Sequence, residues 1–174
     1  MWKELYNELK IESSKTNIPK TTSAMLDKLE ESIHRKLPKS YREFMIIFGP
    51  GELAEYFRIY GPGKKGGQAD LIAFIEMNRE IANVQIETYG EEDFIKRMIP
   101  FSDTIGGDVI AWDPSTSNED NDDYAIFMLP NDRNSIIKLS PDFEAFITKI
   151  CLSTSFGKIV GDPKYKVSKV FRQF

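Results

Sequence analysis

The chain has 174 residues, 41% of them hydrophobic, which is enough for one substantial core and leaves little room for a second domain. A formal charge of -4, from 27 Asp and Glu against 23 Lys and Arg, argues against general nucleic-acid binding, because such binding needs many cations facing phosphates. The single cysteine, Cys151, excludes an intramolecular disulfide framework and a thiolate-rich zinc site, and points to a reducing compartment.

Trp2, Leu5, Tyr6 and Leu9 sketch a short amphipathic helix that the polar run Ser13-Ser14-Lys15-Thr16-Asn17 ends. This N-terminus lacks the apolar stretch of a signal peptide, and no segment approaches the ~20 apolar residues of a membrane span, so the expectation is a soluble, cytoplasmic protein with no membrane partner. A longer helix is expected from Ser23 to Leu37, with Leu26, Leu29, Ile33 and Leu37 on one face and His34, Arg35 and Lys36 near its C-terminus, where cations favour the dipole. Pro38 then suits a first helical turn, and Ser40 with Glu43 matches the spacing of a capping box. Tyr41, Phe44, Met45 and Phe48 form one apolar stripe, and Gly49-Pro50 stops that helix.

Phe57-Arg58-Ile59-Tyr60 reads as a strand and Gly61 to Gly67 as a flexible loop. Phe74, Met77, Ile81 and Val84 restore a helical stripe that Gly90 terminates. Met98 to Phe101, Val109 to Trp112, Tyr124 to Leu129 and Ser135 to Leu139 are short apolar runs of strand type, the last two joined through Asn131-Asp132-Arg133-Asn134. Between the first two of these runs, Gly106-Gly107 predicts a tight turn. Ser140 as cap, Pro141 at the first position and Asp142 in the first turn open a closing helix, whose buried stripe is Phe143, Phe146, Ile147, Ile150 and Cys151. The order predicts an α+β fold: a single domain with a mostly antiparallel sheet of four to six strands and helices packed mainly on one face. Residues 1–20 are set apart as a helix and linker, 21–155 as the domain, and 156–174 as a basic tail with Lys158, Lys164, Lys166, Lys169 and Arg172 against Asp162 alone.

The chemistry-bearing residues do not assemble into a recognised catalytic pattern. Gly61 to Gly67 fails the phosphate-loop spacing, because Gly67-Gln68 stands where Lys and Ser or Thr are required. His34 has no second histidine with which to pair on a metal, and Cys151 lies on an apolar stripe, where it reads as a small buried hydrophobe. Asp103, Asp108 and Asp113 are spaced five apart, which in a continuous strand alternates faces, so they read as turn and strand-end caps before partner contacts or acid/base groups. The stretch from Asp113 to Asp123 holds five acidic residues and no basic one: Asp113, Glu119, Asp120, Asp122 and Asp123. An EF-hand counted from Asp113 fails, with Asn118 and Tyr124 where Gly and Glu belong. A solvated loop, a docking surface for a basic partner and a weak cation site are the three readings of this stretch.

Leu37-Pro38, Ser40-Tyr41-Arg42-Glu43-Phe44 and Gly49, followed by Ile99-Pro100-Phe101, Gly106-Gly107-Asp108 and Trp112-Asp113, resemble the two motifs of the SUKH superfamily, whose members include yeast cell-wall-assembly and glucan-synthesis regulators and bacterial immunity proteins. The resemblance spans roughly Ser23 to Leu152, and it implies that Leu37, Pro38, Tyr41, Phe44, Gly49, Gly106, Gly107, Asp108 and Trp112 are structural motif positions. It also implies a domain with no catalytic residues, metal or cofactor, which binds and neutralises a cognate toxin domain such as a basic nuclease. A regulatory scaffold is the alternative and a carboxylate-dependent hydrolase the remote one. The acidic residues Asp113, Glu119, Asp120, Asp122 and Asp123 are the expected partner-binding set.

Overall fold

The computed structural model describes residues 1–13, 19–117 and 122–174. The chain enters through α1 (Trp2–Glu8) and β1 (Lys10–Ser13), then α2 (Ser23–Ile33) and α3 (Lys39–Phe48), a hairpin of β2 (Gly51–Leu53) and β3 (Phe57–Ile59), and helices α4 (Leu71–Glu80), α5 (Ala82–Tyr89) and α6 (Glu92–Arg97). Four strands follow, β4 (Ile99–Thr104), β5 (Val109–Asp113), β6 (Ala125–Leu129) and β7 (Ile137–Ser140). The chain closes with α7 (Phe143–Ala145), which runs into a π-helical stretch (Phe146–Cys151), then α8 (Ser155–Val160) and β8 (Val170–Gln173). No described helix is long and apolar enough to cross a membrane.

The architecture is α+β, built on one sheet in the order β1-β8-β2-β3-β4-β5-β6-β7. All neighbouring pairs are antiparallel except β1 and β8. Eight strands among the described residues exceed the expected four to six. The unforeseen strands β1, β2 and β8 have only three or four residues each, too few for alternation to stand out from a loop. The basic tail supplies β8, which lies between β1 and β2. A Cβ on Gly51 of β2 would run into the Arg172 carbonyl oxygen and the Phe171 ring, so this glycine admits the close approach of β8.

Packing mainly on one face is matched in part, because helices also cover the reverse side of the sheet. The main core lies on one side, where Leu53, Phe57, Phe101, Trp112, Ile126 and Phe171 meet α1 to α3 and the closing helix. Phe94, Ile95 and Met98 form a smaller cluster on the reverse side with Ala111 and Leu129, flanked by Val109 and Phe127. The unbroken apolar runs of β5 and β6 reflect this, since strands buried on both faces do not alternate. On the reverse face, Glu12, Arg172, Glu52, Arg58 and Asp103 stand in register across five adjacent strands as a ladder of alternating charge. Arg172 reaches Glu52 at 2.7 Å and Glu12 at 3.2 Å, and Arg58 grips Asp103 with two bonds of 2.7 and 2.6 Å.

Several element ends differ from expectation. The second helix stops at Ile33, and His34 adopts the left-handed conformation, which leaves Arg35 and Lys36 outside it. The expected single stripe from Phe74 to Gly90 is two helices meeting at Ile81. Asp142 caps the closing helix by accepting from the Ala145 N–H at 2.7 Å, while the Ser140 hydroxyl donates to the Asp142 carbonyl.

The tail is therefore part of the core, because Phe171 is fully buried against Phe44 and Phe48. Replacing Phe171 with alanine should cost about 3–5 kcal/mol in a urea melt, the range for emptying a buried aromatic site. A loss within the scatter of surface substitutions would contradict this placement of β8.

Candidate functional site: an acidic surface around the third helix

Burial of one side of α3 determines what its other side presents. Tyr41, Phe44, Met45 and Phe48 point inward, and the Tyr41 hydroxyl donates to the Tyr60 carbonyl at 2.6 Å within a cage of Trp112, Phe143 and Phe101. Burial pushes the Tyr41 phenol far up, so it stays a neutral donor. Lys39, Glu43 and Ile46 are left exposed on the outside. The expected capping box is absent: the Ser40 hydroxyl donates to the Asp123 carboxylate instead. The Lys39 N–H donates to the Asp122 carbonyl at 2.8 Å, and the Tyr124 hydroxyl to the Lys36 carbonyl at 3.0 Å. These bonds fasten residues 122–124 against the start of α3.

Two clefts flank that junction. One of about 510 Å³ is lined by Glu43, Asp122, Asp123, Asp142 and Glu144, against Lys39 and Lys149. The other, about 620 Å³, is lined by Asp27, Glu30, Glu43 and Asp122, against Lys36, Lys39 and Arg42. They share the Lys39, Glu43 and Asp122 ridge, and Ile46 stands on the rim of the second. Glu30 is the buried pivot: it accepts the Leu37 N–H at 2.9 Å and pairs with Lys36 and Arg42, both at 2.9 Å. Burial disfavours its charge, yet these three donors hold its carboxyl below the usual range.

The structure separates the aspartates that the sequence grouped. Asp103 belongs to the charge ladder on the reverse face, where it also accepts from the Tyr60 hydroxyl at 3.2 Å. Asp108 accepts from Thr104 at 2.6 Å and from the Asn131 N–H at 3.0 Å, tying the β4–β5 turn to the β6–β7 connection. Gly107 gives that turn its positive φ of 88°. Asp113 is gripped by Arg97 through two bonds of 2.8 Å and caps the following turn through Ser115. Each carboxylate has its own partners, and the three do not converge.

Of the expected partner-binding set, Asp122 is exposed on the ridge, Asp123 is buried in the cleft floor, and Asp113 lies outside both clefts. Glu119 and Asp120 fall outside the described residues. The sequence reading missed Asp27, Glu30, Glu43, Asp142 and Glu144 as members of one surface. Their signal was present in the outward position of Glu43 on α3 and in the acidic first turn of the closing helix.

The other candidates are accounted for locally. Cys151 is fully buried, and burial pushes its thiol well up. In the glycine-rich loop, the Gly66 N–H donates to Asp70 at 2.8 Å, and the same carboxylate caps α4 through the Ile72 and Ala73 N–H groups. Donors of the kind that would cradle a phosphate therefore face a resident carboxylate. Among the described residues, no group of three or more His, Cys, Asp or Glu side chains could hold a metal ion.

Asp113 and Asp123 differ in their electrostatics. Burial opposes ionisation of Asp113, but Arg97 and Ser115 hold its carboxyl below the ordinary range. For Asp123, burial prevails over the bonds from Ser40 and Tyr124 and raises its carboxyl. The stabilising contribution of Asp113 is therefore present at neutral pH and lost as pH falls through its folded value. That of Asp123 is present in acid and lost as pH rises through its folded value. Asp113→Asn should cost more stability at about pH 7 than at about pH 3, and Asp123→Asn the reverse, in urea melts at both pH values. Parallel trends in the two variants would contradict these environments.

The chain matches no curated protein sequence at a significant level. The SMI1 / KNR4 family (SUKH-1) matches residues 20–149, well over half of the 174 residues. The match includes α2, α3 and the Gly106-Gly107 turn, and leaves out α1, β1, α8 and β8. The chain belongs to the SMI1/KNR4 family (SUKH-1).

Proposed function

We propose that the chain is a non-enzymatic immunity-type protein that binds a basic toxin domain, with a nuclease as the favoured class, through the acidic surface around α3. Membership in the SMI1/KNR4 family is consistent with an immunity-type or a regulatory role. The observation that carries the toxin reading is the pair of clefts sharing Glu43 and Asp122, in which seven carboxylates outnumber four cations. A nuclease must present positive potential to the phosphates of its substrate, so an acidic surface of this size is complementary to it and competes for the same ground. Exposed Ile46 on the cleft rim offers apolar contact inside the charged surround, as in interfaces where an apolar centre sits within a polar rim.

A binding role without catalysis fits the site chemistry. The carboxylates of Asp103, Asp108 and Asp113 are held by Arg58, Thr104, Asn131, Arg97 and Ser115, and the lone thiol is inaccessible. Exposed charges of this sort contribute mainly to the rate and selectivity of encounter, and the surface would act by covering the partner's substrate approach.

Co-expression with any toxin domain encoded beside this chain should protect cells and give a copurifying complex. The triple substitution Glu43→Gln, Asp122→Asn and Glu144→Gln should slow association about tenfold at low salt, with a smaller effect at high salt. Failure of the unaltered chain to protect would defeat the toxin reading. Unchanged rate and salt dependence in the triple variant of a working complex would remove this surface from the interface.

A further inference from the structure

On the reverse side of the molecule, remote in sequence from the acidic clefts, α4 and α5 meet at Ile81 and expose an apolar stripe. Met77, Ile81 and Val84 are 49%, 43% and 62% exposed and follow one another at i, i+4 and i+7. They are three of the six large hydrophobic side chains that are exposed among the described residues. The inward side of the same helices packs against the body of the domain, with Leu71 and Ile75 in the main core. Phe74 stacks on Tyr60 at 4.1 Å, Asn78 donates to the Phe74 carbonyl at 2.9 Å, Gln85 donates to Asn78 at 3.1 Å, and Ile86 packs on the smaller core. The outer stripe is therefore not needed to hold these helices in place. A single exposed aliphatic residue is ordinary, whereas three within eight residues, one on each helix and one at the junction between them, form a surface of the kind that partners cover.

The stripe continues into a groove of about 410 Å³, lined on the helix side by Ala73, Phe74 and Met77 and on the sheet side by Arg58, Tyr60 and Phe174. Arg58 contributes little free positive charge there, because Asp103 neutralises it. The charges beside the stripe are acidic. Glu76 and Glu80 immediately precede Met77 and Ile81, Glu87 lies three residues beyond Val84, and all three are exposed. Arg79 is the one cation of these two helices, and two residues from Met77 place it about 200° around the helix, away from the stripe.

We propose that this face docks an amphipathic helix of a second protein, apolar at i, i+4 and i+7 and flanked by lysine or arginine. Such a helix lays its apolar ridge along Met77, Ile81 and Val84, and its cations meet the three glutamates. The same glutamates disfavour a second copy of this chain, because a twofold axis here brings acidic flank onto acidic flank. They disfavour an anionic membrane surface for the same reason. This docking site is separate from the clefts around α3 and does not rest on the toxin-binding reading.

The test is an amide chemical-shift titration of the isotope-labelled full chain with two synthetic helical peptides. One carries leucines at i, i+4 and i+7 flanked by lysines, and the other has glutamates in place of the lysines. The lysine peptide should shift residues 73–88 together with Tyr60 and Phe174, bind about tenfold or more tighter than its counterpart, and lose that binding in the double variant Met77→Gln, Val84→Gln. Both substituted side chains are exposed and glutamine is a good helix former, so the variant's spectrum should otherwise match the parent. Shifts that fall on the clefts around α3, equal binding of the two peptides, or no shift at α4 and α5 would each overturn the proposal. So would self-association, or binding to anionic vesicles, that the same double variant abolishes.

Discussion

The buried seat of Tyr41 is the constraint on which the arrangement depends. Its ring lies edge-on to Trp112 at 4.8 Å and to Phe143 at 5.3 Å, and its hydroxyl reaches the Tyr60 carbonyl. One side chain thus joins α3, the strand after the Gly106-Gly107 turn, the closing helix and the end of β3. Leaving that hydroxyl without an acceptor in so apolar a cage would cost about 1–3 kcal/mol, so the bond fixes the rotation of α3 as well as its depth. Once Tyr41, Phe44, Met45 and Phe48 are inside, Lys39, Glu43 and Ile46 have to be outside. The acidic ridge follows from the packing of the core.

Charge is handled differently on the two sides of the molecule. On the reverse face, acids and bases alternate strand by strand, and each guanidinium of the ladder is matched by carboxylates. Cross-strand pairs of opposite sign stabilise a sheet locally and leave little net field. Around α3 the balance is broken in favour of carboxylates, and the buried acids Glu30 and Asp123 organise the backbone while exposed Glu43, Asp122 and Glu144 face solvent. Positioning and presentation are thus divided between different carboxylates of one surface.

Local signals carried most of what was legible in the sequence. The inward stripe of α3, the Gly106-Gly107 turn, the strands from β4 to β7 and the apolar face of the closing helix each announce themselves within a dozen residues. Strands β1 and β8 do not, because Glu12 meets Arg172 from the opposite end of the chain and neither four-residue segment has a pattern of its own. The break at Ile81 carries no glycine or proline to mark it. Ser40 had the spacing of a cap, but a charged acceptor brought in by tertiary structure, Asp123, is the stronger partner. For the candidate site, counting acids picked out Asp122 and Asp123, which line the clefts around α3. Counting could not reveal that Asp113 is consumed by Arg97, or that Glu43, Asp142 and Glu144 come to the same cleft from two other elements.

The proposed recognition surface is the outer side of α3 with its acidic neighbours, and the motif turn behind them is its scaffold. Hydrogen–deuterium exchange on the free chain and on its complex with a toxin domain that it protects against tests this placement. Added protection is expected at residues 39–46, 122–124 and 142–149, with the β4–β5 turn unchanged. Protection concentrated on residues 104–108, with the clefts around α3 exchanging as in the free chain, would contradict it.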